Sequence, residues 1–435
     1  MRPAHRNGRR TERGEDASHH PLRPHLRGFG YFRLGPGFVT GAADDDPSGI
    51  GTYSQVGARF GFGLVWTAPV SLPLASAVRE TAARLGLETG RGLMALIRER
   101  FPRPILWLAV FLVVTANTFN IGADLGSMAA AFRLLVPLPF AAVVIVFAAV
   151  TVLLEVLVPY ERYSSILRLL ALSILAYVVE LFVIHVDWAA VIAGLIPSFT
   201  SGAAAAGALV AVFGTTISPY LFVWQAGEEV EERAARDIGR VSAKHLRAMR
   251  IDVITGMTAG VLVMFAIMVV AASTLGAHGV TQIQTAEQAA AALEPLAGRF
   301  ASALFAAGIV GTGLLAIPTL AGSAAYALCE SVDWKEGLDR KLAEAPRFYG
   351  VIAASIVVGV ALNFLGIDPI RALYASAILN GLAAPPLILM MLVLSNSAAV
   401  GRRGGRLSHA LVALAFLVMG GAAVTFLVLN VLGRG

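Results

Sequence analysis

The sequence predicts an all-α polytopic membrane protein of eleven transmembrane helices, arranged as two inverted five-helix repeats plus one extra helix. Three observations predict it. The 435 residues are 57% hydrophobic and only 14% charged, against about 25% charged residues in a soluble domain. The chain divides into apolar stretches of the length, about 20 residues, that crosses a bilayer. Two of those stretches are interrupted in their middles by polar residues and a proline. Such a composition excludes a soluble enzyme, a nucleic-acid binder and a disordered scaffold. The net charge of +6 is read as basic loops on one side of a membrane, not as a nucleic-acid surface.

Residues 1–34 are polar and Arg-rich and lack the apolar stretch of a signal peptide, so they read as a flexible cytosolic tail. A single membrane domain follows over 35–435. Its spans fall at about 36–60, 62–83, 104–132, 137–159, 164–186, 203–226, 251–275, 300–329, 348–366, 370–395 and 408–431. The repeats are then 35–186 and 203–395, and 408–431 is the extra helix. Amphipathic stretches at 86–101 and 232–248 read as cytosolic connectors, and the apolar stretch 187–200 is too short to span and lies on the outer surface. With the N-terminus inside, only Arg59, Arg133, Arg299, Arg371 and Arg434 of the 34 Lys and Arg fall outside. The loop after span 2, counted from Arg79, supplies six of the inner charges. One span more or fewer would scramble this alternation, so the C-terminus is placed outside the cell's inner (plasma) membrane.

Cys329 is the one cysteine, which excludes an intrachain disulfide and a cysteine metal cluster. The eight histidines lie at 5, 19, 20, 25, 185, 245, 278 and 409, in the tail, in loops or near helix ends. None is placed to form a mid-membrane metal site or proton relay.

Span 1 reads GPGFVTGAADDDPSGIGTYSQVGARFG, with Asp44, Asp45, Asp46, Pro47, Ser48 and Gly49 at its centre. A carboxylate at mid-membrane is costly unless it is paired or faces water. Pro47 lacks an N–H and Gly49 favours unwinding, and unwound backbone is tolerated in a bilayer only where it lines a cavity. Span 6 reads GALVAVFGTTISPYLFVWQAGEEVEE and breaks at Gly214, Thr215, Thr216 and Pro219. The two breaks lie five helices apart, in spans that run in opposite directions. That is the signature of an inverted-repeat transporter whose substrate site lies where the breaks meet. A plain proline kink in each helix is the alternative, and three aspartates argue against it in span 1.

DPSGIGTYSQVGARFG resembles the first-helix motif of the Nramp divalent-metal transporters, which centres on Asp-Pro-Gly-Asn. TGRGLMALIRERFPRPILW is similar to the stretch before their third helix, GTTISPYLF to their sixth-helix motif around Met-Pro-His, and TLAGSAAYAL to their eighth helix. The resemblance covers spans 1 to 10 and implies a LeuT-like fold with broken helices 1 and 6. It keeps the motif aspartate as Asp46 and implies backbone ligands at Ala43 and Thr215. It also shows departures. The family Gly is Ser48, the metal-binding Asn is Gly49 and the metal-binding Met is Ser218. The helix-6 histidines are Tyr220 and Gln225, and the helix-3 proton-route acids fall at Asn117, Asp124 and Ser127. The pattern resembles the divergent Nramp-related magnesium transporters, which implies Mg2+ and Mn2+ as cargo without obligatory proton coupling.

The chemistry of the substitutions agrees with that implication. A thioether favours soft metals, whereas the Ser218 hydroxyl is a hard donor. Losing the Asn at Gly49 opens space for a cation that keeps its waters, as Mg2+ does. Asp46 is the expected ligand, direct or through water, Asp45 a second carboxylate, and Thr216 a neighbour that tunes the site. Asp124 reads as a pathway or charge-balancing acid, and Asn380 in LNGLAAPP as a lining residue. Helix–helix packing by small polar residues is the plainer alternative for Ser218 and Thr216. Glu155 reads as a structural partner of Arg162, Glu180 as either vestibule lining or a structural hydrogen bond, and Glu228, Glu229, Glu231 and Glu232 as a solvated charge run.

Three other functions share parts of this pattern. A proton-coupled Mn2+/Fe2+ transporter keeps the family's usual chemistry. An organic-solute carrier would aim helix N-termini at a substrate carboxylate, which three aspartates repel. An intramembrane aspartyl protease would need Asp46 and Asp124 to share a proton, but Asp124 sits in Gly-Ala-Asp rather than that family's Gly-x-Gly-Asp. No Walker motif is present. The expectation is therefore a transporter and not an enzyme, with no resident cofactor. Its partners are a divalent cation and the lipid bilayer, with neither nucleic acid nor an obligate protein partner.

Overall fold

The computed structural model describes residues 45–157, 172–198, 202–338, 340–396 and 404–432. The tail 1–34, the first half of span 1 with Ala43 and Asp44, the junction of spans 4 and 5 with Arg162, and Arg434 lie outside the described residues.

The described part of span 1 is α1 (Pro47–Phe60). Asp46 takes the extended N-cap conformation, and its carboxylate accepts the Gly49 N–H. Pro47 occupies the first helical position, where no N–H is needed. After a short 3-10 turn, Gly61–Leu64, the chain turns by 110° into α2 (Thr67–Thr89). Gly90 in the left-handed conformation closes α2. A short α3 (Leu93–Arg100) leads to α4 (Arg103–Arg133) and α5 (Phe140–Leu157). Span 5 is described only as a 3-10 turn, Leu172–Leu175, and a helix, Ala176–Glu180. The stretch read as an outer-surface segment contains the helix Trp188–Gly194.

Span 6 is two helices, α6 (Ala203–Thr216) and α7 (Pro219–Ala235). Then come α8 (Ala243–Ser273), α9 (Ala301–Val332), α10 (Pro346–Leu362), α11 (Pro369–Ser395) and α12 (Arg406–Val431). No strand occurs among the described residues. With α6 and α7 taken together as one span, seven described helical segments are long and apolar enough to cross a membrane, or eight if Pro47–Leu64 and Thr67–Thr89 count as one bent span. The exposed large apolar residues, such as Phe111, Leu153, Leu417 and Val428, give the bundle a lipid-compatible exterior.

The inner helices pack through small residues, as expected where lipid removes the hydrophobic drive between helices. α4 lies along α9, α10 and α11, and α6 lies on α11 and α12. One close approach is at Gly214 of α6 and Gly381 of α11. A Cβ on Gly214 would overlap the Ala377 carbonyl and sit 2.5 Å from the Gly381 Cα.

Three sequence expectations are corrected. Arg79 and Arg84 do not belong to a loop: both are buried within α2, which runs on to Thr89. The stretch 232–248 is not one connector, since α7 ends at Ala235 and α8 begins at Ala243 with Ser242 as its cap. The acidic run after span 6 is not simply solvated. Glu229 is buried and accepts from Gln225 at 3.1 Å. Glu231 accepts from the Tyr326 hydroxyl and from Leu338 N at 2.9 Å, tying α7 to the loop after α9. The pairing expected for Glu155 cannot be placed, because Arg162 lies outside the described residues; the buried Glu155 carboxylate has no hydrogen-bond partner among the described ones.

In that loop, burial pushes the Glu336 carboxyl up to about 9, and the neighbouring Glu330 and Glu231 carboxylates push the same way. Arg98 and Arg340 oppose the shift. The folded protein therefore holds this proton up to about 9, while the unfolded chain releases it near 4.5. Stability from this group is full at low pH and is lost as pH rises through that window. In Glu336→Gln, the fall in melting temperature between mildly acidic and alkaline buffer should be smaller than in wild type.

Candidate metal site at the two helix breaks

The second break follows from its proline. Pro219 cannot donate to the preceding turn and biases Ser218 towards extended backbone. α6 accordingly ends at Thr216, Ile217 leaves the helix, and Ser218 (φ −78, ψ 138) caps α7. The Ser218 hydroxyl lies 2.6 Å from the Gly214 carbonyl and 2.8 Å from the Thr215 carbonyl, and donates its one proton between them.

The two breaks touch. Ser48 Oγ is 3.2 Å from Thr215 Oγ1, and Tyr53 OH is 2.9 Å from Thr216 Oγ1. Asp46 is 1% exposed. Its Oδ1 accepts from Ser48 Oγ at 2.6 Å and from Gly49 N at 2.7 Å, and its Oδ2 from Asn120 Nδ2 at 3.0 Å. Asn120 Nδ2 is also 3.5 Å from Asp124 Oδ2, so one amide stands between two buried carboxylates. Three donors hold Asp46 in place without a formal positive charge among them.

The remaining predicted residues separate into two groups. Asp45 is buried beside Asp46, and Gly49 contributes its N–H to Asp46. Asn380 is wholly buried on α11, one residue from the Gly214–Gly381 approach, and its amide has no hydrogen-bond partner among the described residues. One Asp124 oxygen, Oδ1, is likewise unsatisfied. These are polar atoms of the kind that bind water or a cation. By contrast, Asn117 donates to Leu320 O on α9 at 3.0 Å, and Ser127 donates to the Asp124 carbonyl at 2.9 Å. Gln225 is engaged with Glu229, and Tyr220 is buried in the first turn of α7. Ala43 lies outside the described residues.

Four residues here escaped the sequence reading. Asn120 had a signal: it lies four residues before Asp124, on the same face of α4. Tyr53 lies on α1 beyond the first break. Arg79 reaches the carbonyl of Thr216, the last residue of α6, at 3.4 Å. Met264 of α8 places its sulfur 3.7 Å from Thr216 Oγ1. No three His, Cys, Asp or Glu side chains converge into a metal cluster among the described residues. Apart from the Met264 sulfur, the donors gathered at the breaks are carboxylate, hydroxyl, carbonyl and amide oxygens, which suit hard cations that retain water.

The model of the Nramp family, natural resistance-associated macrophage protein-like, matches residues 37–429. The chain is 31% identical over 297 residues to the divalent metal cation transporter MntH of Deinococcus radiodurans, covering 66% of this chain and 67% of that one. It is 27% identical over 381 residues to MntH of Caldanaerobacter subterraneus subsp. tengcongensis, covering 84% of each. Among solved structures it resembles the manganese transporter of Eremococcus coleocola, with a TM-score of 0.70 at 20% identity over 91% of this chain and 85% of that one. It also resembles Mhp1, a nucleobase-cation-symport-1 family transporter, with a TM-score of 0.57 at 14% identity over 92% and 91% of the two chains. The fold is thus shared with two transporters. The chain belongs to the Nramp family of membrane transporters, whose relatives named here carry divalent metal cations, and it is not an enzyme.

Proposed function

We propose that this member carries a hard, partly hydrated divalent cation, Mg2+ first and Mn2+ second, through the junction of the two breaks, without obligatory proton coupling. The reading keeps eleven spans with the N-terminus cytoplasmic and the C-terminus outside. The observation that carries it is the oxygen-rich donor set around Asp46, with a serine hydroxyl capping α7 and the nearby Met264 sulfur turned to the Thr216 hydroxyl. Asp46 supplies the charge, Asp45 a second carboxylate, and Thr215 and Ser218 the carbonyl and hydroxyl facing them. Ala43 supplies the remaining backbone oxygen. Asn120 and Ser48 swing from Asp46 to water or the ion when the cation enters. Thr216 and Asn380 complete the wall. Asp124 meets Asp46 across the Asn120 amide, but Asn117, Ser127 and Gln225 do not titrate and Tyr220 is neutral, so these positions do not extend that pair into a proton route, which supports transport without proton transfer.

Selectivity should turn on Ser218. Ser218→Met places a soft thioether at the break, and its bulk crowds a hydrated ion. The ratio of apparent affinities for Cd2+ and Mg2+ should rise about tenfold or more, the equivalent of one moderate ligand interaction of about 1.4 kcal/mol. Ser218→Met with Gly49→Asn should exceed either change alone, since ligands of one ion are coupled. The check is competition against uptake into liposomes for wild type, both singles and the double. An unchanged ratio in all four would place Ser218 and Gly49 away from the ion.

A further inference from the structure

At the end of the bundle where α2 finishes and α12 begins, one buried charge lacks a hydrogen bond. Arg84 of α2 is 3% exposed, and Nε, Nη1 and Nη2 all lack a hydrogen-bond partner among the described residues. The nearest carboxylate, Glu80, is 4.0 Å away and is already engaged. Its Oε1 accepts from Arg250 Nη2 at 2.7 Å and Nε at 3.3 Å, and its Oε2 from Ser408 Oγ at 2.8 Å. Two guanidinium groups thus share the Glu80 carboxylate, and Glu88 on the next turn of α2 adds its charge without a hydrogen bond to Arg84, so the Arg84 N–H donors stay unused.

The Arg84 guanidinium lies against Gly404, just before the N-terminus of α12. A Cβ on Gly404 would overlap Nη1 and sit 2.6 Å from Cζ. α12 is 26 residues long, its cap residue Gly405 supplies no side-chain acceptor, and its first backbone bond is His409 N to Gly405 O. The N–H groups of Arg406, Leu407 and Ser408 are therefore free of helical partners, and they carry the positive end of the helix dipole. Arg406 and Leu407 are exposed, and Leu407, Leu414 and Leu417 continue down α12 as exposed apolar residues.

We propose that Arg84 and the N-terminus of α12 form a binding site for a phosphate group, that of an anionic phospholipid headgroup or of free phosphate. Backbone amides at a helix N-terminus and a fork of guanidinium donors are the pairing that recognises phosphate. The site lies on the basic side of the bundle, where headgroups reach basic pockets between helices. The apolar track down α12 is where acyl chains of a seated lipid lie.

The test uses the full chain in detergent, titrated separately with short-chain phosphatidylglycerol, short-chain phosphatidylcholine and sodium phosphate, and read as the rise in melting temperature. Wild type should be stabilised by phosphatidylglycerol at lower concentration than by phosphatidylcholine. A response to sodium phosphate at matching concentration assigns a soluble anion, and a response only to the lipid assigns the headgroup. Arg84→Gln should need at least about tenfold more of the same probe, the scale of losing a charge-assisted hydrogen bond. Gly405→Asp, at the α12 cap where nothing lies within 4 Å of an added Cβ, puts a carboxylate on the free helix N–H groups and should lose the response while melting no lower than wild type, which keeps the test decisive if Arg84→Gln folds poorly. Equal responses in wild type and Gly405→Asp, or no response in wild type to any of the three probes, would overturn the proposal.

Discussion

Asp46→Asn should abolish saturable divalent-cation uptake while the protein still folds. Asparagine is as good an N-cap as aspartate, so the amide oxygen can go on accepting from Ser48 and Gly49 and α1 keeps its start. What is lost is the negative charge. A divalent ion at mid-membrane needs that charge, because the bilayer offers little solvation of its own. Asp45 cannot compensate fully, since the cradle of Ser48, Gly49 and Asn120 at the break is built on Asp46. Uptake should fall by at least about a hundredfold, equivalent to roughly 3 kcal/mol of lost ion stabilisation. Initial uptake rates in liposomes, beside the melting temperature of the same preparation, separate lost binding from lost fold. Wild-type uptake by a stable Asp46→Asn protein would remove the ion from this helix.

Gly214→Ala should damage both fold and transport. The new methyl group would overlap backbone atoms of Ala377 and Gly381 on α11, and backbone cannot rotate aside as a side chain can. Overpacking of this kind costs about 1–3 kcal/mol, and here α6 must also shift from α11. The Gly214 carbonyl is an acceptor of the Ser218 hydroxyl, so the shift reaches the break. Gly421→Ala in α12 is the matched control, because nothing lies within 4 Å of its added Cβ and alanine favours helix over glycine. Gly214→Ala should melt markedly lower and transport poorly, and Gly421→Ala should do neither.

These two residues also mark what the sequence could reveal. The breaks were legible, because Pro47 and Pro219 each stand beside polar residues in otherwise apolar spans, and few physical reasons tolerate that in a bilayer. The meeting of Ser48 with Thr215 follows from repeat symmetry read from those breaks. Asn120 was less legible, since a lone amide in a helix carries no marker unless the acid four residues on is already suspected. The close approach of Gly214 to Gly381 was invisible, because a glycine's packing role lies in its neighbour. Arg79 and Arg84 were misread for a definite reason. Charge counting assigns basic residues to loops, and only the structure shows α2 carrying both into the protein interior. Glu229 and Glu231 failed the same way: a run of acids looks solvated until a tyrosine and a loop N–H are found bonded to it.

The central claim is that a hard divalent cation crosses at the two breaks without a proton. Mg2+ influx into liposomes containing the full chain and an internal pH reporter tests it most directly. The account predicts saturable Mg2+ entry, competed by Mn2+, with internal pH changing no more than in liposomes lacking the protein. Mn2+ entry accompanied by acidification at a fixed ratio, with Mg2+ neither entering nor competing, would contradict it.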